Sequence, residues 1–323
     1  MGDLPEDTTS EQGGGTATVT TAAPTGDIVT TVVPSRTRRR RWLGTSRKLQ
    51  VGTGIVACFV LVALIGPFFV GDANAFAGPQ LQAPSSAHWL GTTNTGQDVL
   101  SQLVVGARGS LLIGALSGVL STVIAFLVGV TGGYLGGLGD EILSLVSNVF
   151  LVIPGIPLLI LVTDYVHRTG PLVISLTIGL TSWAGGSRVL RAQSLSLRQR
   201  DFVDAARVSG EPGWRIIGWQ ILPNLLPILA SGFLFGMIGG ILTEAGLTFI
   251  GLGDLNSVTW GTMLYFAQNG QALSLGAWWW FVPPGLCIAV IGAALSLVNF
   301  GIDERVNPRL RVPGRRNRKV VRR

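Results

Sequence analysis

The residues most able to do work lie between Arg200 and Asn224, in the run R-D-F-V-D-A-A-R-V-S-G-E-P-G-W-R-I-I-G-W-Q-I-L-P-N. Asp201 is placed to cap a short helix, and Gly210 followed by Pro212 ends it. Phe202, Ala205 and Ala206 fall at i, i+3 and i+4, so the pattern predicts a shared face. Small residues beside one aromatic let a helix backbone come close to a partner groove, while the ring supplies buried area. A second helical piece is expected over Trp214–Leu222, with Pro223 breaking it and redirecting the chain. This chemistry is mechanical docking, not bond making.

Catalytic and ligand-holding groups are scarce elsewhere. The glycine-rich run 129–139 has no Lys and is not a phosphate-cradling loop; its glycines fit close helix packing and a tight turn. An enzyme reading would need paired acids, a Ser/Lys pair or a His cluster in the apolar segments, and none is found there. His88 and His167 make no metal constellation. Cys58 and Cys287 lie in separate apolar segments and read as packing residues. Glu244 stands near the outer end of a hydrophobic block, so it is a candidate for a translocation path, as is Asn224. A carboxylate hydrogen-bonded at a helix end is the equal alternative for Glu244. Asp140 and Glu141 read as N-terminal helix charges.

The elements that must hold these residues are membrane spans. The chain has 323 residues, 47% hydrophobic and 13% charged, and about 20 apolar residues in a helix cross the hydrocarbon core. Six blocks qualify: Val51–Val70, Ser110–Tyr134, Ile142–Thr163, Leu172–Gly186, Leu225–Thr243 and Trp278–Phe300. Lys and Arg total 24, clustering at 36–48, 188–215 and 305–323. Six crossings put all three clusters on the cytoplasmic side, as the positive-inside rule requires. The net charge of +7 then reflects orientation and contact with anionic lipid headgroups, not nucleic-acid binding.

The expected organisation is a tail over 1–48, without regular structure to residue 35 and ending in a basic run. A first transmembrane helix and outer segment follow over 49–107, then a core over 108–301 carrying the cytoplasmic loop 188–223, and a basic tail over 302–323. The first hydrophobic block reads as a signal anchor. Gly96–Ala107 is expected to form a short amphipathic helix on the outer surface. The stretch from Glu244 to Gly253 is too apolar for a free loop and predicts re-entry into the membrane.

Asp204-Ala205-Ala206, Gly210 and Leu222-Pro223 at their spacing resemble the EAA loop of ABC importer permeases. Leu90-Gly-Thr, Gly96-Gln-Asp-Val-Leu-Ser, Gly106-Ala-Arg-Gly-Ser-Leu, Gly132-Gly-Tyr-Leu-Gly-Gly with Asp140, Glu244-Ala-Gly-Leu-Thr-Phe-Ile-Gly-Leu-Gly, Trp260-Gly and Asn307-Pro-Arg-Leu-Arg are similar to the dipeptide/oligopeptide/nickel permease family on its DppC/OppC side. The resemblance covers about residues 45–312. Asp204 stands where Glu is usual, Gln97 where Arg is common and Gln220 where His is common.

The resemblance implies an all-α polytopic protein with type I ABC importer architecture and cytoplasmic termini in a bacterial inner membrane. It implies no cofactor on this chain, with ATP and Mg bound by one or two partner ATPase subunits. It also implies a second DppB/OppB-type permease and an extracytoplasmic substrate-binding protein. Di- or oligopeptides are the expected cargo. Nickel, a metal chelate or an oligosaccharide on the same architecture, or a channel outside the ABC class, are the alternatives.

Overall fold

The structure is a computed structural model that describes residues 17–22, 28–33, 47–153, 155–165 and 170–306. The chain divides into two units, Met1–Thr45 and Ser46–Arg323.

In the first unit, β1 (Ala17–Ala22) pairs antiparallel with β2 (Ile28–Val33), Ala17 opposite Val33 and Ala22 opposite Ile28. The tail expected to lack regular structure, in an all-α chain, therefore carries a two-stranded ribbon. Its Thr- and Val-rich segments are β-branched, and Pro24-Thr25-Gly26 between them is a turn composition. The basic stretches 36–46 and 307–323 lie outside the described residues.

The second unit is helical. Its helices are α1 (Arg47–Ile65), α2 (Val99–Leu135), α3 (Gly137–Val152), α4 (Gly155–Tyr165), α5 (Pro171–Arg198), α6 (Asp201–Val208), a turn α7 (Gly213–Arg215), α8 (Leu222–Phe249), α9 (Trp260–Asn269) and α10 (Trp278–Val306). A π-helical turn over Ile216–Ile221 joins α7 to α8. Among the described residues four helices are long and apolar enough to cross a membrane, or five if α3 and α4 form one broken span.

That pair is bent by 86°, so the third expected span is not straight. Ile153 is extended at φ −68°, ψ 125°, the conformation imposed on a residue preceding proline. The fourth expected span, Leu172–Gly186, lies within the 28 residues of α5, but Ser, Thr and Gly lower its hydropathy and it is not among the apolar set. The expected surface helix over Gly96–Ala107 does not form separately. From Val99 these residues are the first turns of the 37-residue α2, capped by Asp98, whose side chain accepts from the Ser101 amide. The apolar stretch after Glu244 does not re-enter as a loop; it extends α8 by a further turn to Phe249.

Glycines set the helix crossings. A Cβ on Gly118 would lie 2.8 Å from the Met237 amide nitrogen, and one on Gly236 3.1 Å from Gly118 Cα, so α2 and α8 touch backbone to backbone. The paired positions 114/241 and 118/237 make this crossing antiparallel. Gly179 meets Leu120 and Gly133 meets Arg191, so α2 and α5 run parallel. The chain must therefore return between them through α3 and α4. Gly52 meets Ala294 and Val298, Gly301 meets Leu49, and Lys48 Nζ lies 2.7 Å from Glu304 Oε1. The start of α1 is thereby held beside the end of α10.

One buried cluster at the N-terminal end of α2 centres on Trp260 and Trp280, each at most 1% exposed. A second, at the C-terminal end of α2, collects Val130, Leu190, Val203, Ala206, Ile216, Ile221 and Leu225. At about 1.5 Å rise per residue the 37 residues of α2 separate these ends by about 55 Å.

Candidate functional site

The segment from α6 to the start of α8 stands on the second cluster. Val203 is fully buried and Ala206 is 7% exposed, and these two, three residues apart, form the keel of α6. The expected shared face of Phe202, Ala205 and Ala206 is thus divided. Ala206 turns inward, whereas Phe202 and Ala205 are exposed together with Asp204. The sequence could not decide this, because an eight-residue amphipathic helix offers two small-residue stripes and only tertiary packing chooses between them.

Arg200, not Asp201, occupies the N-cap position, and its side chain makes no capping bond; Asp201 and Asp204 fill the first turn. Carboxylates there, with Arg207 in the last turn, match the helix dipole at both ends. Arg207 also donates to Asp204 Oδ1 at 2.9 Å and lies 5.5 Å from the centre of the Tyr134 ring. Tyr134 closes α2, and its ring would meet a Cβ on Gly213 at 3.1 Å. It therefore wedges between α6 and α7. Tyr134 was missed as a site residue, although Gly132-Gly-Tyr-Leu-Gly-Gly was the available signal.

Gly210 terminates α6. Its N–H donates to Arg207 O at 3.0 Å and the Glu211 N–H to Ala206 O at 3.1 Å, the two bonds of a Schellman end. Its φ of +78° requires glycine, although nothing lies within 4 Å of a built Cβ.

Beyond it, Trp214 is 73% and Trp219 74% exposed, Leu222 is half-buried and Pro223 is exposed. Pro223 has no amide to donate and its ring would crowd a carbonyl four residues back. The π turn relieves this: the Leu222 N–H reaches Ile217 O, five residues back. Asn224 is exposed and donates from Nδ2 to Gln220 O at 2.7 Å.

A cavity of about 440 Å³ lies between α2, α5 and α8, lined by Ser121, Ser182, Trp183, Ser231, Phe235 and Thr243 among others. Neither Glu244 nor Asn224 lines it. Glu244 is 1% exposed, and its Oε1 accepts from Thr259 Oγ1 at 2.7 Å and Thr248 Oγ1 at 3.2 Å. Thr259 in turn caps α9 in a capping box with Thr262. Glu244 is placed as a tie between α8 and α9, one residue away from the cavity-lining Thr243.

At the same end of α2 as α6, Arg191 grips Asp140, Nε to Oδ1 at 2.5 Å and Nη2 to Oδ2 at 2.7 Å, tying α5 to α3. Donation to this carboxylate holds the Arg191 guanidinium above its ordinary range. The sequence offered Asp140 only as a helix-end charge, since a partner 51 residues away is invisible to local pattern.

Residues 89–312 match the family model described as binding-protein-dependent transport system inner membrane component. The chain belongs to this family. Within it, the permease is similar to the oligopeptide transport system permease protein OppC of Mycobacterium tuberculosis, 34% identical over 239 residues, covering 73% of this chain and 80% of that one. It is also similar to the dipeptide transport system permease protein DppC of Alkalihalophilus pseudofirmus, 30% identical over 294 residues, covering 89% of this chain and 94% of that one. Its fold is similar to that of the inward-facing MetNI methionine ABC transporter, with a TM-score of 0.50 at 21% identity over 65% of this chain and 96% of that one. The permease is therefore an ABC importer component of the peptide transport family, as its motifs implied.

Proposed function

We propose that this permease forms half of the translocation path of an ATP-driven importer of di- or oligopeptides, in a bacterial inner membrane, and that α6 is its coupling helix. The observation that carries this is the division of α6: a buried keel of Val203 and Ala206 fixes it to the ends of α2 and α8, and Phe202, Asp204 and Ala205 face outward for a partner. A load on the outer face reaches the spans through Tyr134, Ile216 and Ile221 with little slack.

Helix directions support six passages. The end of α1 lies beside the upper part of α2, where Gly66 meets Val104; α2 and α5 run parallel; α8 runs antiparallel to α2; and α10 ends beside the start of α1. Six alternating passages satisfy all four relationships, with α3 and α4 as the third. Both termini then lie on the side of α6, which the basic clusters mark as cytoplasmic.

The chain supplies no phosphate-binding loop, so ATP and Mg belong to one or two ATPase subunits docked on α6. A second DppB/OppB-type permease completes the path around the α2–α5–α8 cavity, and an external binding protein delivers cargo. The serine and threonine hydroxyls and two aromatic rings of that cavity suit a polar, varied solute held loosely.

The test is Ala205→Trp, which fills the outer face without touching the keel. The expected result is a permease that inserts and pairs normally but no longer copurifies with its ATPase subunits, with ATP-driven peptide uptake lost. Unchanged copurification and uptake would remove α6 as the docking element.

A further inference from the structure

At the end of the bundle opposite α6 lies a second cavity of about 350 Å³ that the coupling reading does not use. Its polar lining is dominated by carboxamides: Asn74, Asn94, Gln97, Gln102 and Asn256. Among the described residues no charged side chain lines it. Part of this lining is braced: Gln102 Nε2 donates to Gln97 Oε1 at 2.7 Å, and Gln97 Nε2 donates to Asn74 O at 3.1 Å. The half-buried Asn94 and the exposed Asn256 make no side-chain hydrogen bond to any described residue. Trp280 also lines the cavity; it is 1% exposed, and its Nε1 is buried with no acceptor among the described residues. The adjacent Trp279 Nε1, by contrast, reaches Thr92 O at 3.3 Å. A buried indole N–H without a partner carries a desolvation cost that an incoming acceptor would relieve.

We propose that this cavity is a binding site for a neutral amide-bearing ligand, an interior unit of a peptide, whose carbonyl accepts from Trp280 Nε1 and whose amide group pairs with Asn94 or Asn256. Each carboxamide both donates and accepts, and so matches a peptide unit in either direction. The absence of a cation or anion from the lining disfavours free chain termini, which bring charges that would have to be desolvated without a counter-charge. The volume lies within the range of small-ligand pockets. That the occupant is cargo on its way to the α2–α5–α8 cavity rests on the importer reading; the amide chemistry does not.

The experiment uses the full-length chain in lipid nanodiscs without ATP, with N-acetyl-dialanine amide as the probe and zwitterionic dialanine as the comparison, read by saturation-transfer NMR and equilibrium dialysis. The neutral probe is expected to bind, and dialanine to bind at least tenfold more weakly. Trp280→Phe, which keeps a ring and removes the donor, is expected to weaken the neutral probe about tenfold, the loss of one hydrogen bond. Trp89→Phe, an exposed tryptophan outside the lining, is expected to change nothing. Asn94→Leu, which breaks no described hydrogen bond, gives a second reading should Trp280→Phe misfold. Equal binding of the two probes, or neutral-probe binding that neither variant weakens, would overturn the site. Because this assay needs neither ATPase nor uptake, its failure stands apart from failure of the Ala205→Trp test.

Discussion

Arg191 and Asp140 form a two-point ion pair that joins α5 to α3 across the groove beside α2, with nitrogen-to-oxygen distances of 2.5 and 2.7 Å. The Asp140 side chain is 13% exposed and that of Arg191 35%. Geometry of this kind uses both carboxylate oxygens at once and is the stronger class of charged hydrogen bond. The pair anchors the near end of the broken α3–α4 element, which α5 also holds further along through Ser187 to Ser147 at 3.1 Å and Arg188 to Asn148 at 2.9 Å. Asp140→Asn should therefore loosen α3, lowering stability by about 1–3 kcal/mol, seen as a fall in the melting temperature of the detergent-solubilised permease. Asp140→Asn with no thermal effect would mean that the pair is idle.

Gly210 separates two requirements that sequence alone confuses. Space is not the constraint, since no atom lies within 4 Å of a built Cβ; the positive φ is. Gly210→Ala should cost about 1–2 kcal/mol through left-handed strain, whereas Gly210→Asn should cost less, because Asn visits that region more readily. Coupled uptake should rank Gly, then Asn, then Ala. The opposite order of Asn and Ala would show that bulk, not backbone conformation, is what the position excludes.

The crossing of α2 and α8 depends on glycine for the other reason. At Gly118 an added methyl would meet the Met237 amide nitrogen at 2.8 Å and Phe233 O at 3.0 Å, both backbone atoms that cannot swing aside. Gly118→Ala should push the helices apart and destabilise by about 1–3 kcal/mol. On α5, Gly185 faces open space, and Gly185→Ala should be neutral or slightly stabilising through helix propensity. Thermal unfolding of the two variants checks the contrast.

The sequence made the apolar blocks, the α6 segment and its Gly210 end legible because each is a local pattern. The break between α3 and α4 was half legible: Pro154 and Pro157 marked it, but proline spacing does not give an 86° bend. What stayed hidden was non-local. Nothing near Ala206 says that it packs inward with Ile216 and Ile221 and not on a partner, and nothing near Glu244 says that Thr259, fifteen residues on, will donate to its carboxyl. The Thr/Val ribbon in the N-terminal unit was masked by a polar, low-hydropathy composition in which β-branching was the weaker signal.

The π turn over Ile216–Ile221 lies between the proposed load on α6 and the span α8, and it exists because Pro223 cannot donate. Pro223→Ala supplies the missing amide and removes the ring, so the turn should relax toward regular α-helix with one residue fewer per widened turn. That change rotates α6 relative to α8 by roughly one residue, about 100°, and takes Val203 and Ala206 out of register with Ile221 and Leu225. Basal ATPase activity of the assembled complex should persist, while its stimulation by cargo-loaded binding protein falls at least tenfold. Unaltered stimulation would show that the turn is a passive accommodation of proline.

Thr259 ties two structures together through one hydroxyl. It donates to Glu244 Oε1 at 2.7 Å and accepts from the Thr262 N–H at 3.1 Å, so it anchors the buried carboxyl and starts α9. Glu244 Oε2 already has no partner among the described residues. Thr259→Val, of similar shape, removes the stronger of the two bonds to Oε1 and the α9 cap together, costing the unmet carboxyl about 1–3 kcal/mol and the lost cap about 1 kcal/mol more. Glu244→Gln retains an oxygen acceptor for Thr259 and leaves the α9 cap intact, and should cost less. If Glu244 served the path instead, the ranking would invert: Glu244→Gln would abolish uptake at unchanged melting temperature, and Thr259→Val would be mild. Uptake and thermal unfolding measured on both variants therefore decide between a tie and a transport residue.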